Sequence, residues 1–355
     1  MLMEKLLMKG NEAVGAAAIK AGCRHFFGYP ITPQNEIPEY MAKELPPLGG
    51  TFVQAESEIA AINMVYGAAG AGARVMTSSS SPGIALKQEG ISYIAASELP
   101  CVIVNMMRSS PGLGGIQPAQ ADYFMATRGG GNGDYYMPVY APASIQETVE
   151  LVMEAFEVAD FYCTPVMILG DGMIGQMMES VEFPEPKKRN LPAKDWATVG
   201  TGGKRKPNII NSLRIEPDVL EPHIQKLLDK YEVIKKDETL YEKVNCEDAD
   251  VIAVAYGTIS RVVRNAIKKC EEEGIKLGLI RPITLWPFPF AAFEEISPNT
   301  KAFLSVEMSA GQMVDDVKIA ANGRIPVEFY GRYGGNVPKP DEVVAKVKDI
   351  LGGGK

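Results

Sequence analysis

The chain is poor in the residues on which much metal and redox chemistry depends. Histidine occurs only twice in 355 residues, at His25 and His223. That leaves little room for histidine-rich metal sites or for most His-based nucleophile triads. The five cysteines, at 23, 101, 163, 246 and 270, are scattered, and no pair is spaced C-x-x-C. This argues against an iron–sulfur cluster, structural zinc or a disulfide framework on this chain. Free thiols fit a reducing cytoplasm. Long hydrophobic runs are also missing. Stretches such as "MVYGAAGAGA" reach about 10 residues and are glycine-rich, whereas a membrane span needs roughly 20. Net charge is −8 with no basic block, so neither nucleic acid nor a membrane is an expected partner. The N-terminus "MLMEKLLMKGNEAV" carries an acid among its lysines and no A-x-A cleavage site, so no signal peptide is expected.

What the chain does have is 46% hydrophobic residues, enough for a large core and for two domains. The first half alternates helix and strand signals. "NEAVGAAAIKAG" reads as a helix stopped by Gly22, "HFFGYP" and "GTFVQA" as strands, and "CVIVNMM" as a buried strand. "ARVMTSSSS" reads as a strand that breaks into a loop at Pro82-Gly83, before a helix over "IALKQEGISYIAAS". "SIQETVELVMEAFEVAD" opens on a capping box, Ser144 with Glu147, and "PVMIL" is the closing strand. Such alternation implies a parallel sheet with helices on both faces. From 183 to 247 the chain turns rich in proline, glycine and charge and reads as a linker or excursion with one polar helix. A second α/β unit begins at Asp248. Its buried strand "ADVIAVAYGT" precedes an amphipathic helix, and "KLGLIRP", "KAFLSVE" and "VEFYG" supply further strands.

Several motifs are misleading on inspection. "GDGMIG", Gly170 to Gly175, fits G-x-G-x-x-G after a strand, yet the long helix, second strand and downstream acid of a dinucleotide site do not follow. "GTGGK" lacks the Ser or Thr of a P-loop and its preceding core strand. The serines of "TSSSSPG" have no G-x-S-x-G elbow and no nearby histidine, so they read as a backbone-rich binding loop.

The informative stretch is "VQAESEIAAINMVYGAAGAGA". It places Glu58 at a strand-to-helix junction. An acid in a first helical turn commonly just complements the helix dipole. Here, however, the helix is built from Ala60, Ala61, Gly67, Ala68, Ala69, Gly70, Ala71 and Gly72, small residues that let backbone or ligand approach closely. A carboxylate at the edge of such a surface, stripped of water, holds a proton more readily and can share it with a ring nitrogen.

E-I-A-A-I-N-M-V-Y-G resembles the pyrimidine-binding domain of thiamine diphosphate enzymes. There a glutamate followed by alanines, with glycine nine positions on, contacts N1′ of the aminopyrimidine; Glu58 and Gly67 match that spacing. Glu56 is the competing acid, and the alanine spacing favours Glu58. "GDG" also begins the magnesium–diphosphate motif of these enzymes, but "LPAKDWATVG" downstream holds no asparagine to complete it. "GYPITP", Gly28 to Pro33, and "NMMRSSPGLGG" resemble hallmarks of the alpha subunits of 2-oxoacid:ferredoxin oxidoreductases. "RPITLWPFP" and "SVEMSAGQMVDDV" resemble the transketolase C-terminal-like domain of the same subunits. The stretch after Arg108 is closer to the branched-chain type than to the 2-oxoglutarate type, which usually carries "QRSGPSTG" there.

The resemblance implies an α/β fold of two doubly wound parallel-sheet domains, at 1–182 and 248–355, flanking the 183–247 segment. It implies Glu58 as the catalytic contact to thiamine diphosphate, with Pro30, Ser81 and Gly83 also lining the cofactor. Thr32 would reach the substrate, and Arg108 would pair with its carboxylate, a geometry suited to the planar guanidinium fork. The implied reaction is CoA-dependent oxidative decarboxylation of 3-methyl-2-oxobutanoate with reduction of ferredoxin; 2-oxoglutarate and pyruvate are the alternative substrates. No metal is expected on this chain. Mg2+ and a proximal cluster would lie on a beta subunit, and further 4Fe–4S clusters on a gamma or delta subunit. Two rival readings are a nucleotide-dependent dehydrogenase and a non-catalytic assembly subunit.

Overall fold

A computed structural model describes residues Lys5–Gly352. Residues 1–4, which open the N-terminal stretch read above, and 353–355 lie outside the described residues. In chain order the first unit comprises β1 (Leu6–Lys9), α1 (Gly10–Lys20), β2 (His25–Gly28), α2 (Glu36–Glu44), β3 (Thr51–Gln54) and α3 (Glu58–Gly70). It continues with β4 (Val75–Ser79), α4 (Ser81–Ala96), β5 (Cys101–Met107), α5 (Tyr123–Thr127), β6 (Val139–Tyr140), α6 (Ile145–Tyr162), β7 (Pro165–Asp171), α7 (Gly172–Gln176) and β8 (Met178–Val181). An extended stretch leads to α8 (Pro217–Asp237) and β9 (Tyr241–Val244). Then come β10 (Val251–Val254), α9 (Gly257–Glu272), β11 (Leu277–Pro282), β12 (Thr284–Trp286), β13 (Ala302–Glu307), α10 (Met313–Ala321), β14 (Val327–Gly331) and α11 (Pro340–Ile350).

The main sheet has seven strands in the order β12-β6-β7-β5-β4-β2-β3. All neighbours run parallel except the β12–β6 edge. Strands β4, β5 and β7 are buried at every residue, which is why β5 and β7 read as largely apolar runs rather than alternating ones, while β4 carries buried Thr77, Ser78 and Ser79. The second sheet, β14-β13-β10-β11-β9, is likewise parallel except for β9. The architecture is therefore α/β with two doubly wound sheets, as the alternation implies. β1 and β8 form a separate antiparallel pair.

One local expectation fails. Pro82-Gly83 is not a loop: α4 begins directly at Ser81, with proline in its first turn. The missing N–H of proline is no loss there, because first-turn amides have no intrahelical acceptor. At α6, Ser144 accepts from the Glu147 amide, but the Glu147 carboxylate takes the Ala143 amide instead of closing the box on Ser144. The same carboxylate receives both guanidinium ends of Arg281 at 2.8 Å. The two units are thus clamped through an ion pair on an Arg that is 8% exposed in its side chain. The stretch after β8 lies along the first unit: Arg189 binds Glu154 and Glu238, and Lys194 binds Asp160. From α8, Tyr231 packs edge-on against both Tyr136 and Trp286.

Candidate functional site

In the main sheet, β3 lies on one side of β2, and the next strand in the chain, β4, lies on the other. The connections therefore diverge above the carboxyl ends of β2 and β4, leaving a crevice where ligands bind in open α/β sheets. The sequence hallmarks converge on this place. "YPITP" follows β2, Ser79 ends β4 and Ser80 to Gly83 follow it, Arg108 comes directly after β5, and Glu58 opens α3.

Ser57 caps α3 by accepting the Ala60 amide, which fixes the helix start and swings Glu58 inward. Glu58 is 7% exposed, whereas Glu56 is exposed. The Glu58 carboxylate lies over Gly83: a Cβ there would sit 2.6 Å from Oε1 and 2.1 Å from the Ser79 hydroxyl. Among the described residues, no protein hydrogen bond is recorded to the Glu58 carboxylate. Arg108, 8% exposed, donates from Nη1 to the Thr32 carbonyl at 3.0 Å and from Nη2 to the Leu113 carbonyl at 3.1 Å. Its amide donates to Ser81 Oγ at 3.0 Å. The loop from Ser109 to Gln117 is closed by the Ser109 amide on the Gln117 carbonyl, and Gly114 turns it at φ +53, where a Cβ would strike the Ser109 carbonyl. Thr32 and Pro30 stand exposed at the rim, and a hollow of about 660 Å³ opens beside Thr32 and Pro33.

Beneath this rim lie polar groups that the sequence reading passed over. Asp122 accepts from Ser81 Oγ at 2.6 Å and from Asn105 Nδ2 at 2.9 Å. Burial pushes its carboxyl above the usual range, against the opposing pull of those two hydrogen bonds. Lys87 is fully buried, with Nζ donating to Thr77 Oγ at 2.6 Å and the Ser78 carbonyl at 3.1 Å. The hydroxyls of Ser79 and Ser80, Oδ1 of Asn105 and Nε of Arg108 are buried without a protein partner. A periodic signal for Lys87 was available. It falls on the same helical stripe as Ile84, Gln88 and Ile91, where a lysine is out of place. Nothing in the sequence singles out Asn105 or Asp122.

The absence of a Cβ at Gly83 is what lets the Glu58 carboxylate and the Ser79 hydroxyl sit against the start of α4. Gly83→Ala is expected to force Glu58 and Ser79 apart, costing about 1–3 kcal/mol of stability. Thermal denaturation checks this, and an unchanged Tm would show that the carboxylate does not depend on the gap.

The other candidate stretches are structural. Asp171 of "GDG" caps α7, accepting the Met173 and Ile174 amides, and takes the Thr258 hydroxyl from the second unit. Helix α7 spans five residues and leads into the antiparallel pair β8–β1, so no dinucleotide fold follows. "GTGGK" is a loop with no strand before it. The second sheet has its own crevice, between β10 and β13, and it is filled by the chain itself. Gln120 donates from Nε2 to the Tyr256 carbonyl at 3.0 Å, and its Oε1 accepts the Met308 amide at 3.0 Å. A larger hollow of about 1140 Å³, lined by Lys243, Cys246 and Glu271, lies in the second unit, remote from these groups. Among the described residues, no group of three or more His, Cys, Asp or Glu side chains is placed to hold a metal ion.

Fold and crevice together define a pyrimidine-binding unit of the thiamine diphosphate type joined to a second doubly wound unit. Residues 16–243 match the model of the pyruvate flavodoxin/ferredoxin oxidoreductase thiamine diphosphate-binding domain, and residues 249–343 match pyruvate:ferredoxin oxidoreductase core domain II. The chain belongs to the 2-oxoacid:ferredoxin oxidoreductase family. It is 48% identical to ketoisovalerate oxidoreductase subunit VorB of Methanothermobacter marburgensis over 99% of both chains. It is 36% identical to 2-oxoglutarate synthase subunit KorA of the same organism, over 98% of this chain and 99% of that one. A 2-oxoglutarate:ferredoxin oxidoreductase from Magnetococcus marinus, solved with 2-oxoglutarate, coenzyme A and succinyl-CoA bound, aligns with a TM-score of 0.87 at 29% identity. That alignment covers 98% of this chain and 66% of the other, so this chain spans just under two thirds of that structure's length.

Proposed function

We propose that this chain supplies one half of a thiamine diphosphate site shared with a partner subunit. The enzyme would convert a 2-oxo acid, CoA and oxidised ferredoxin to acyl-CoA, CO2 and reduced ferredoxin, with 3-methyl-2-oxobutanoate as preferred substrate. The observation that carries this reading is the convergence of Glu58, Gly83, Ser81, Arg108 and Thr32 on one switch-point crevice. Bound thiamine diphosphate supplies a carbon nucleophile and an electron sink for a 2-oxo acid. Toward it, Glu58 would meet the aminopyrimidine edge and exchange a proton at its carboxylate. Pro30, Ser81 and Gly83 would line the ring. Arg108 and Thr32 would orient the carboxylate of the 2-oxo acid at the rim. The domains are taken as 1–182 and 248–355, with 183–247 between them.

A beta subunit would hold the diphosphate, Mg2+ and a proximal cluster, since this chain lacks the asparagine half of the diphosphate motif. A gamma or delta subunit would carry the remaining 4Fe–4S clusters to ferredoxin. Leu113 and Ile116 at the crevice mouth are strongly exposed, as a surface awaiting a partner chain would be. Five unpaired thiols suit a cytoplasmic location. The substrate preference rests on the higher identity to the ketoisovalerate oxidoreductase subunit than to the 2-oxoglutarate synthase subunit.

Co-purification with the subunits of its complex tests the proposal. The complex is expected to contain thiamine diphosphate and iron, and to reduce a viologen dye fastest with branched-chain 2-oxo acids plus CoA. The isolated chain is expected to be inactive. Preference for 2-oxoglutarate or pyruvate would overturn the substrate assignment, and binding of NAD(H) without dye reduction would overturn the reaction.

A further inference from the structure

Asp122 occupies the N-cap position of α5, where an acid ordinarily accepts first-turn amides, yet its side chain makes no such bond. It is 5% exposed, and its carboxylate reaches into the first unit instead. There one oxygen, Oδ2, accepts the Ser81 hydroxyl at 2.6 Å and Asn105 Nδ2 at 2.9 Å. Among the described residues these neutral donors are its only side-chain partners, so no ion pair accounts for burying the charge. Ser81 has one proton and two acceptors in reach, Asp122 Oδ2 at 2.6 Å and the Arg108 carbonyl at 3.2 Å. Giving the proton to the nearer carboxylate leaves the Ser81 lone pairs for the Arg108 amide, which donates at 3.0 Å. Asp122, Ser81 and the Arg108 backbone thus form one line of hydrogen bonds. The segment carrying Asp122 is held at the same time by the second unit. Pro118 pairs with Arg108 in an antiparallel bridge, and two residues on, Gln120 fills the second crevice through the Tyr256 carbonyl and the Met308 amide. Gln312 donates to the Ala121 carbonyl at 2.7 Å and accepts the Phe124 amide at 2.8 Å. Tyr123 donates to Asp316 at 2.5 Å. The residues on either side of Asp122 are bound to the second unit, while its carboxylate is bound to the first.

We propose that Asp122 is a positioning residue for Arg108, acting through Ser81, and that the second unit sets its place. This rests on the reading of Arg108 as the residue that meets the 2-oxo acid carboxylate. A carboxylate fixed from both sides pins the Ser81 hydroxyl, and the pinned hydroxyl holds the Arg108 amide directly after β5. The guanidinium then starts from one place, which lowers the ordering cost of binding an anion. Without Asp122 the Ser81 hydroxyl can turn to the Arg108 carbonyl, and the base of the arginine loses its anchor.

The test is steady-state kinetics of the assembled complex at saturating CoA and thiamine diphosphate, with the 2-oxo acid varied. Asp122→Ala is expected to raise the KM for the acid by about three- to tenfold, the loss of one ordinary hydrogen bond, with kcat little changed. Asp122→Asn keeps an acceptor and drops the charge, and is expected to stay within about twofold of the wild type. In an Arg108→Ala background, Asp122→Ala is expected to add nothing, because residues that act as one unit are not additive. Gln120→Ala, which empties the second crevice, is expected to raise the KM in the same direction. A wild-type KM in D122A, a loss in D122N as large as in D122A, or a D122A loss that adds to that of R108A overturns the relay. An unchanged KM in Q120A overturns the second unit's part in it. If D122A does not assemble, Ser81→Ala cuts the same link at its other end. A KM rise in S81A that vanishes in the R108A background supports the relay, and an additive loss overturns it. An Arg108→Ala complex with the wild-type KM would instead defeat the reading of Arg108 itself.

Discussion

Glu58→Gln is expected to cut turnover of the assembled complex by about 10²–10⁴-fold, the usual contribution of a positioned proton-exchanging side chain. Glutamine keeps the shape of the side chain, so it still fits over Gly83, 2.6 Å from where a Cβ would lie. The Ser57 cap, which accepts the Ala60 amide, is untouched, and α3 should start at the same residue. What disappears is the exchangeable proton, and an amide cannot trade one with a ring nitrogen in the neutral pH range. The measurement is the rate of dye reduction at saturating 2-oxo acid and CoA, with size-exclusion chromatography to show that the complex remains whole. Full turnover in the variant would leave the chain as an assembly subunit.

Arg108→Ala is expected to lower kcat/KM for the 2-oxo acid by about 10²-fold or more, with thiamine diphosphate affinity little changed. A charge-assisted hydrogen bond is worth roughly 1.5–3 kcal/mol, and a guanidinium fork makes two such bonds to a carboxylate. In the free chain one N–H of each Nη is held by the Thr32 and Leu113 carbonyls, which fixes the guanidinium and leaves the second N–H of each for a carboxylate. Its buried Nε has no protein partner. Arg108→Lys should recover little, since a point charge cannot reproduce the fork. Steady-state kinetics with varied 2-oxo acid separates the outcomes. A loss confined to cofactor binding, with the KM for the acid unchanged, would remove Arg108 from the substrate.

Much of the fold was legible because its cause is local. Cys101–Met107 and Pro165–Asp171 are buried on both faces, so each is written as a largely apolar run, and each could be read as one. Ser144 and Glu147 mark a helix start whatever surrounds them. The short edge strands were a different matter. β9 and β12 have four and three residues and carry little pattern of their own. They are strands because a neighbouring sheet offers a free edge, β9 against β11 and β12 against β6. The serine run followed the same logic: the sequence punctuates at Pro82, while the packed sheet lets the helix begin one residue earlier.

The order of residues alone determined that this is a two-unit α/β chain and which acid, arginine and threonine belong together by family likeness. The tertiary structure decided their arrangement. It alone turns Glu58 inward while leaving Glu56 exposed, sets Asp122 under Ser81, and buries Lys87 against the Thr77 hydroxyl and the Ser78 carbonyl. It also fills the second crevice with Gln120. The reason is physical: periodicity reports which face of an element is buried, but a charge is set by what meets it across the sheet, and those partners lie far away along the chain.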